Sequence, residues 1–149
     1  MSEPDSVPTG ILVSTGSGFV APLPSALARR VRLALADAED GKAARAAAVR
    51  EMQAARTEAV AENEAAFAAD PRRARALIQA QAHVTDALVE AAFAAAMTLH
   101  PLANPTEAER IAVLGVGGYG RAEMAPQSDV DLLFLTPWKI TPWAESVIE

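Results

Sequence analysis

The run Ile111 to Leu135, IAVLGVGGYGRAEMAPQSDVDLLFL, decides how the chain is read. Ile111, Ala112, Val113, Leu114 and Val116 form a short, almost wholly apolar stretch. Such a stretch reads as a strand buried on both faces. Gly117, Gly118 and Gly120 then place three glycines in four positions. They stop the strand, allow positive φ, and let the backbone approach something bulky. A polar connector with Pro126, Gln127 and Ser128 leads to a second strand, Asp129 to Leu135. Asp129 and Asp131 are i and i+2 of that strand, so they share a face with their carboxylates roughly 6–7 Å apart. That separation lets them share a pair of divalent ions. Carboxylates at a buried strand end are costly unless a cation offsets their charge. Oxygen donors without thiolate or imidazole suit Mg²⁺ or Mn²⁺ rather than zinc.

The connector, about ten residues long, brings the glycine turn beside the aspartates, as antiparallel pairing of the two strands requires. A backbone-donor turn for phosphates and a carboxylate pair for metal then share one cleft. That is the equipment of phosphoryl or nucleotidyl transfer from a Mg-nucleotide. Each part alone is unspecific: a Gly-Gly pair is usually only a turn, and Asp-x-Asp usually caps a strand at a polar surface. A dinucleotide fingerprint would put a helix pattern after its glycines, and Pro126 interrupts that. The Gly-Lys-Ser/Thr of a P-loop is absent.

The combination, hydrophobic-Gly-Gly, about ten residues, then Asp-hydrophobic-Asp, resembles the signature of the polymerase-β-like nucleotidyltransferase superfamily. Within it, Gly117 to Leu133 is similar to the uridylyltransferases of the nitrogen-regulatory P-II protein, and the flanks Pro101 to Arg110 and Lys139 to Trp143 resemble their alphaproteobacterial branch. The resemblance is specific over 101–149 and looser over 25–100. It implies that Asp129 and Asp131 are catalytic and bind the metal, and that Gly117 and Gly118 hold the nucleotide phosphates. It implies further that Arg121 pairs with triphosphate, with an ion pair to Glu123 as the alternative, and that Ser128 caps or orients the aspartate turn. UTP and the P-II protein are the implied partners. Ala122 departs from the family, which usually has glycine there; if the position needs positive φ, alanine costs on the order of 1 kcal/mol. The superfamily's third carboxylate, on a later strand, has no counterpart here. Nor do the family's HD and ACT domains, so the chain reads as an N-terminal fragment, expected not to turn over UTP alone.

Composition sets the rest. About 35 of 149 residues are alanine, which favours helix but buries little area. A formal charge of −6 argues against nucleic acid. The absence of Cys removes disulfides and thiolate sites. Glu3 and Asp5 sit where a signal peptide would be basic, and the longest apolar run, Ala91 to Met97, is too short for a bilayer. A cytoplasmic protein with no membrane partner is expected.

Residues 1–24, rich in Pro, Gly and Ser, read as a poorly ordered tail. Ser25 is expected to cap a first helix with Leu27, Val31, Leu35 and Ala38 inward, ended by Asp40-Gly41. A second helix reaches about Ala69, with Val49, Met52, Val60 and Phe67 on one side. Asp70-Pro71 starts a third, whose stripe is Leu77, Val84, Leu88, Ala91, Ala95 and Leu99. His83 and His100 read as solvated or core-edge imidazoles, and the Arg72, Arg73, Arg75 cluster as a solvated helix face. The expected class is α+β: a helical region over 25–100, then the first two strands of a nucleotidyltransferase sheet over 101–149. Two other readings stay open, an adenylyltransferase of the glutamine synthetase type and a non-catalytic, helix-rich interaction module.

Overall fold

The computed structural model describes residues 10–149, and the tail expected over residues 1–9 lies outside them. The fold is α+β, with three mutually packed helices and two small antiparallel hairpins.

The described part of the expected tail is corrected. β1 (Leu12–Ser14) pairs with β2 (Val20–Pro22), with Leu12 opposite Pro22. Gly16 and Gly18 supply the positive φ of the connecting turn. Ile11, Phe19 and Ala21 are buried, so the hairpin is a core element. It is clamped from a distance: the Asn63 side chain accepts from Val20 N–H at 2.7 Å and donates to Val20 C=O at 2.8 Å. Arg73 lies over the Phe19 ring, 5.2 Å from its centroid, within cation–π range.

α1 (Pro24–Ala36) is capped at Leu23 and starts two residues earlier than Ser25 capping would have it. Pro24 occupies the first turn, where its fixed φ suits a helix and its missing N–H costs nothing. Leu23 C=O accepts from Ala26 and Leu27. Leu27, Val31 and Leu35 are buried, as their spacing predicts. Asp40 does not end α1. Its side chain accepts from Ala43 N–H at 2.7 Å and caps α2 (Gly41–Ala69).

The buried face of α2 is only in part the expected one: Met52 and Phe67 are half-buried against the core, but the fully buried positions are others. Ala44, Ala47, Ala48, Ala55, Ala59 and Asn63 are inside, whereas Val49 is exposed. Single methyl groups bury little area each but let neighbouring helices pack closely, so the inward stripe follows alanine rather than the larger residues. Asp70 accepts from Arg72 N–H in a short 3₁₀ turn and leads into α3 (Ala74–Leu99). Leu77, Val84, Ala91 and Ala95 are buried along it, joined by Ala80 and Ala87. By length and mean hydropathy the stretch Pro71–Leu99 reaches the minimum for a membrane-crossing helix. Its stripe packs instead on α1 and α2.

β3 (Ala112–Gly115) pairs antiparallel with β4 (Leu132–Leu135), Gly115 opposite Leu132 and Ala112 opposite Leu135. The expectation of a strand buried on both faces is corrected. Val113, Leu132 and Phe134 turn toward α3, while Leu114, Leu133 and Leu135 are 41%, 45% and 48% exposed. Alternation of side chains forces this split, because only one face of a two-stranded sheet meets the helices. A one-turn helix, α4 (Gly117–Gly120), follows β3. α5 (Pro142–Ile148), capped by Thr141, seats Ala144 and Val147 and sends Trp143 Nε1 to donate to His100 C=O at 2.7 Å.

Candidate functional site

The glycine turn and the second aspartate are neighbours because the ladder runs one pair beyond β3. Val116 N–H donates to Asp131 C=O at 3.0 Å. The next residue, Gly117, has φ +59, and a Cβ built on it would lie 2.6 Å from Asp131 Oδ2. Only glycine lets that carboxylate sit against the turn. Gly120 is equally required, since a Cβ there would lie 2.5 Å from Gly115 C=O. Gly120 N–H bonds back to Val116 C=O at 2.9 Å. Among the described residues, the N–H groups of Gly117, Gly118 and Tyr119 have no acceptor. They are the open donors of a first helical turn, beside a carboxylate.

Asp129 and Asp131 lie in the extended approach to β4, which starts at Leu132 and not at Asp129 as its sequence suggests. Both are exposed. The argument that burial would demand a cation is therefore corrected, because no described element covers that end of the hairpin. Neither carboxylate makes a salt bridge or side-chain hydrogen bond among the described residues. Among the described residues, no group of three or more His, Asp or Glu side chains is assembled to hold a metal. An oxygen-only pair of carboxylates nonetheless fits Mg²⁺, which keeps several waters and is held by one or two carboxylates together with substrate phosphates.

Arg121 donates to Glu123 at 3.0 Å, the alternative weighed for it, with both side chains about two-thirds exposed. Such a pair contributes at most about 1 kcal/mol, so it yields readily to a stronger anion. Ser128 is corrected as a cap: its N–H bonds to Ala125 C=O, but its hydroxyl makes no hydrogen bond among the described residues. Ala122 has φ +54, so the condition set for it is met. Ala122→Gly is expected to raise unfolding stability by about 1 kcal/mol. Urea denaturation measures this, and an unchanged midpoint at equal m contradicts it.

Tyr119 was not singled out by sequence. Its hydroxyl donates to Asp86 Oδ1 at 2.8 Å across 33 residues. Burial above all, then the hydrogen bond and the charges of Asp86 and Glu90, hold its phenol well above the ordinary range. A folded-state pKa raised in this way keeps the contact intact below the ordinary phenol pKa and loses it only in strong alkali. No spacing rule marks Asp86 or Tyr119 as partners. A separate apolar cavity of about 330 Å³ lies between α2, α3, the β3–β4 face and α5, lined by Met52, Phe93, Leu99, Val113 and Phe134 among others. None of Gly117, Gly118, Asp129 or Asp131 lines it.

The profile of the family described as glutamate-ammonia ligase adenylyltransferase matches residues 11–144. A "Bifunctional uridylyltransferase/uridylyl-removing enzyme" of Cereibacter sphaeroides is 68% identical over 111 residues, 74% of this chain and 12% of the relative. The protein of the same name from Ruegeria pomeroyi is 56% identical over 121 residues, 80% of this chain and 13% of the relative. That of Erythrobacter litoralis is 52% identical over 80 residues, 53% of this chain and 9% of the relative. The chain thus spans about an eighth of the length of the first two relatives. No solved structure matches significantly.

Proposed function

Since the chain belongs to the glutamate-ammonia ligase adenylyltransferase family, whose enzymes are nucleotidyltransferases, we propose that its glycine turn and aspartate pair bind a Mg-nucleoside triphosphate for nucleotidyl transfer. The preferred nucleotide is UTP, and the acceptor is a tyrosine hydroxyl of the nitrogen-regulatory P-II protein. The observation that carries this reading is the Asp131 carboxylate lying against Gly117, beside three open backbone donors.

Anions and carboxylates repel, so a turn offering N–H groups and a pair of carboxylates serves a triphosphate only together with a cation. Asp129 and Asp131 would hold Mg²⁺, which when bound neutralises triphosphate charge. The amides of Gly117, Gly118 and Tyr119 bind phosphate oxygens, and Arg121 exchanges Glu123 for phosphate. In the transfer, the acceptor oxygen gives up its proton to solvent and bonds to the α-phosphorus, the bond to the bridging oxygen of the β-phosphate breaks, and pyrophosphate leaves.

Transfer of AMP from ATP is the second reading, favoured by the family profile that matches. The uridylyl reading rests on the names of the relatives at 56% and 68% identity. Competition of labelled UTP and ATP for the chain in Mg²⁺ separates the two. Retention of UTP over ATP supports uridylyl transfer, the reverse order supports adenylyl transfer, and retention of neither overturns the site.

A further inference from the structure

We propose that Asp86, on α3, is a positioning residue for the glycine turn, acting through the Tyr119 hydroxyl. The inference rests on the nucleotide-site reading above. Tyr119 carries the one side chain between Gly117 and Gly120, and glycine backbone is the loosest a chain offers. A turn of this composition stays in one conformation only if something outside it is attached. The Tyr119 ring lies over Gly115, where a built Cβ would meet its Cδ1 and Cε1 at 2.8 Å. Its hydroxyl reaches the helical layer and donates to Asp86 Oδ1 at 2.8 Å. Glu90, one turn further along α3, is the other acidic group whose charge acts on that hydroxyl. Among the described residues this is the hydrogen bond that joins α4 to the helices.

The consequence is preorganisation. The donors of Gly117, Gly118 and Tyr119 are aimed before the nucleotide arrives, so the ordering entropy is not lost on binding. The helical region is then part of the site although it supplies no group to the nucleotide. Asp86→Asn keeps an oxygen acceptor at the same place, whereas Asp86→Ala removes it. Tyr119→Phe keeps the ring over Gly115 and removes the donor.

Two readouts test this on the full chain. The first is amide hydrogen exchange at Gly120, Ala122 and Glu123, whose N–H groups close the turn on Val116, Tyr119 and Gly118. Exchange there is expected to rise about tenfold in Asp86→Ala and in Tyr119→Phe, with α2 and α3 unchanged, and to return to the wild-type rate in Asp86→Asn. The second is Mg-UTP affinity, expected to fall about three- to tenfold in Asp86→Ala and in Tyr119→Phe, no further when the two are combined, and not in Asp86→Asn. Unchanged exchange at the turn, or single effects that multiply in the double variant, overturns the role of Asp86. If the wild-type chain binds no Mg-UTP, the nucleotide reading fails, and the exchange measurement still decides whether Asp86 fixes the turn.

Discussion

Asn63→Ala is expected to destabilise the chain by about 3 kcal/mol, a fall in Tm of roughly 6–12 °C for a chain of this size. Asn63 is 1% exposed at the C-terminal end of the buried alanine face, and it satisfies both the N–H and the C=O of Val20. Truncation leaves these two backbone groups without their partner in a half-buried position. Each such group costs about 1–3 kcal/mol. Replacement by aspartate retains the acceptor for Val20 N–H but sets a carboxylate against Val20 C=O, so Asn63→Asp is expected to be no better than alanine. Because Phe19 and Ala21 are buried next to Val20, the β1–β2 hairpin is expected to detach from α2 and α3 before the helices melt. Thermal melts of the two variants check the magnitude, and a Tm within 2 °C of wild type (about 0.5–1 kcal/mol) contradicts the clamp.

Asp131→Asn is expected to weaken Mg-dependent UTP binding by at least about 100-fold, with Asp129→Asn close behind. Loss of an outer partner of a metal ligand already costs 10–100-fold, and these carboxylates would be ligands themselves. Asparagine keeps the shape and the Val116–Asp131 backbone bond, so the hairpin register survives. Both positions are exposed, and neither carboxylate is paired within the described structure. Unfolding stability should therefore stay within about 0.5 kcal/mol of wild type. Binding lost with stability kept separates a site from a structural role. Equal Mg-UTP affinity in both variants would falsify the assignment.

Much of this was legible in the sequence because it is local chemistry. Three helices follow from alanine-rich runs, two of them opened at the polar breaks Asp40 and Asp70-Pro71. The β3–β4 pairing follows from two apolar runs around a glycine turn. The strained position at Ala122 was readable from the glycine expected there. What escaped depends on partners far along the chain. β1 and β2 are three residues each, set among Gly, Pro and Ser, too short for alternation to register. They exist because Asn63, 43 residues away, completes Val20. On α2 size marks Met52 and Phe67, which pack at the core edge, but not the alanines, whose burial depends on the neighbouring α1 and α3. The exposure of Leu114, Leu133 and Asp131 likewise depends on what covers the hairpin, which no window of sequence reveals.

The proposed site joins the turn Gly117–Gly120 and the aspartates before β4 into one Mg-dependent nucleotide site. The most direct measurement is an NMR titration of the chain with UTP, with and without Mg²⁺, following backbone amides residue by residue. Saturable shifts at Gly117, Gly118, Tyr119 and Asp131 that require Mg²⁺ are expected. Shifts confined to the cavity residues Met52, Phe93 and Leu99, or no shifts with the metal present, would contradict it.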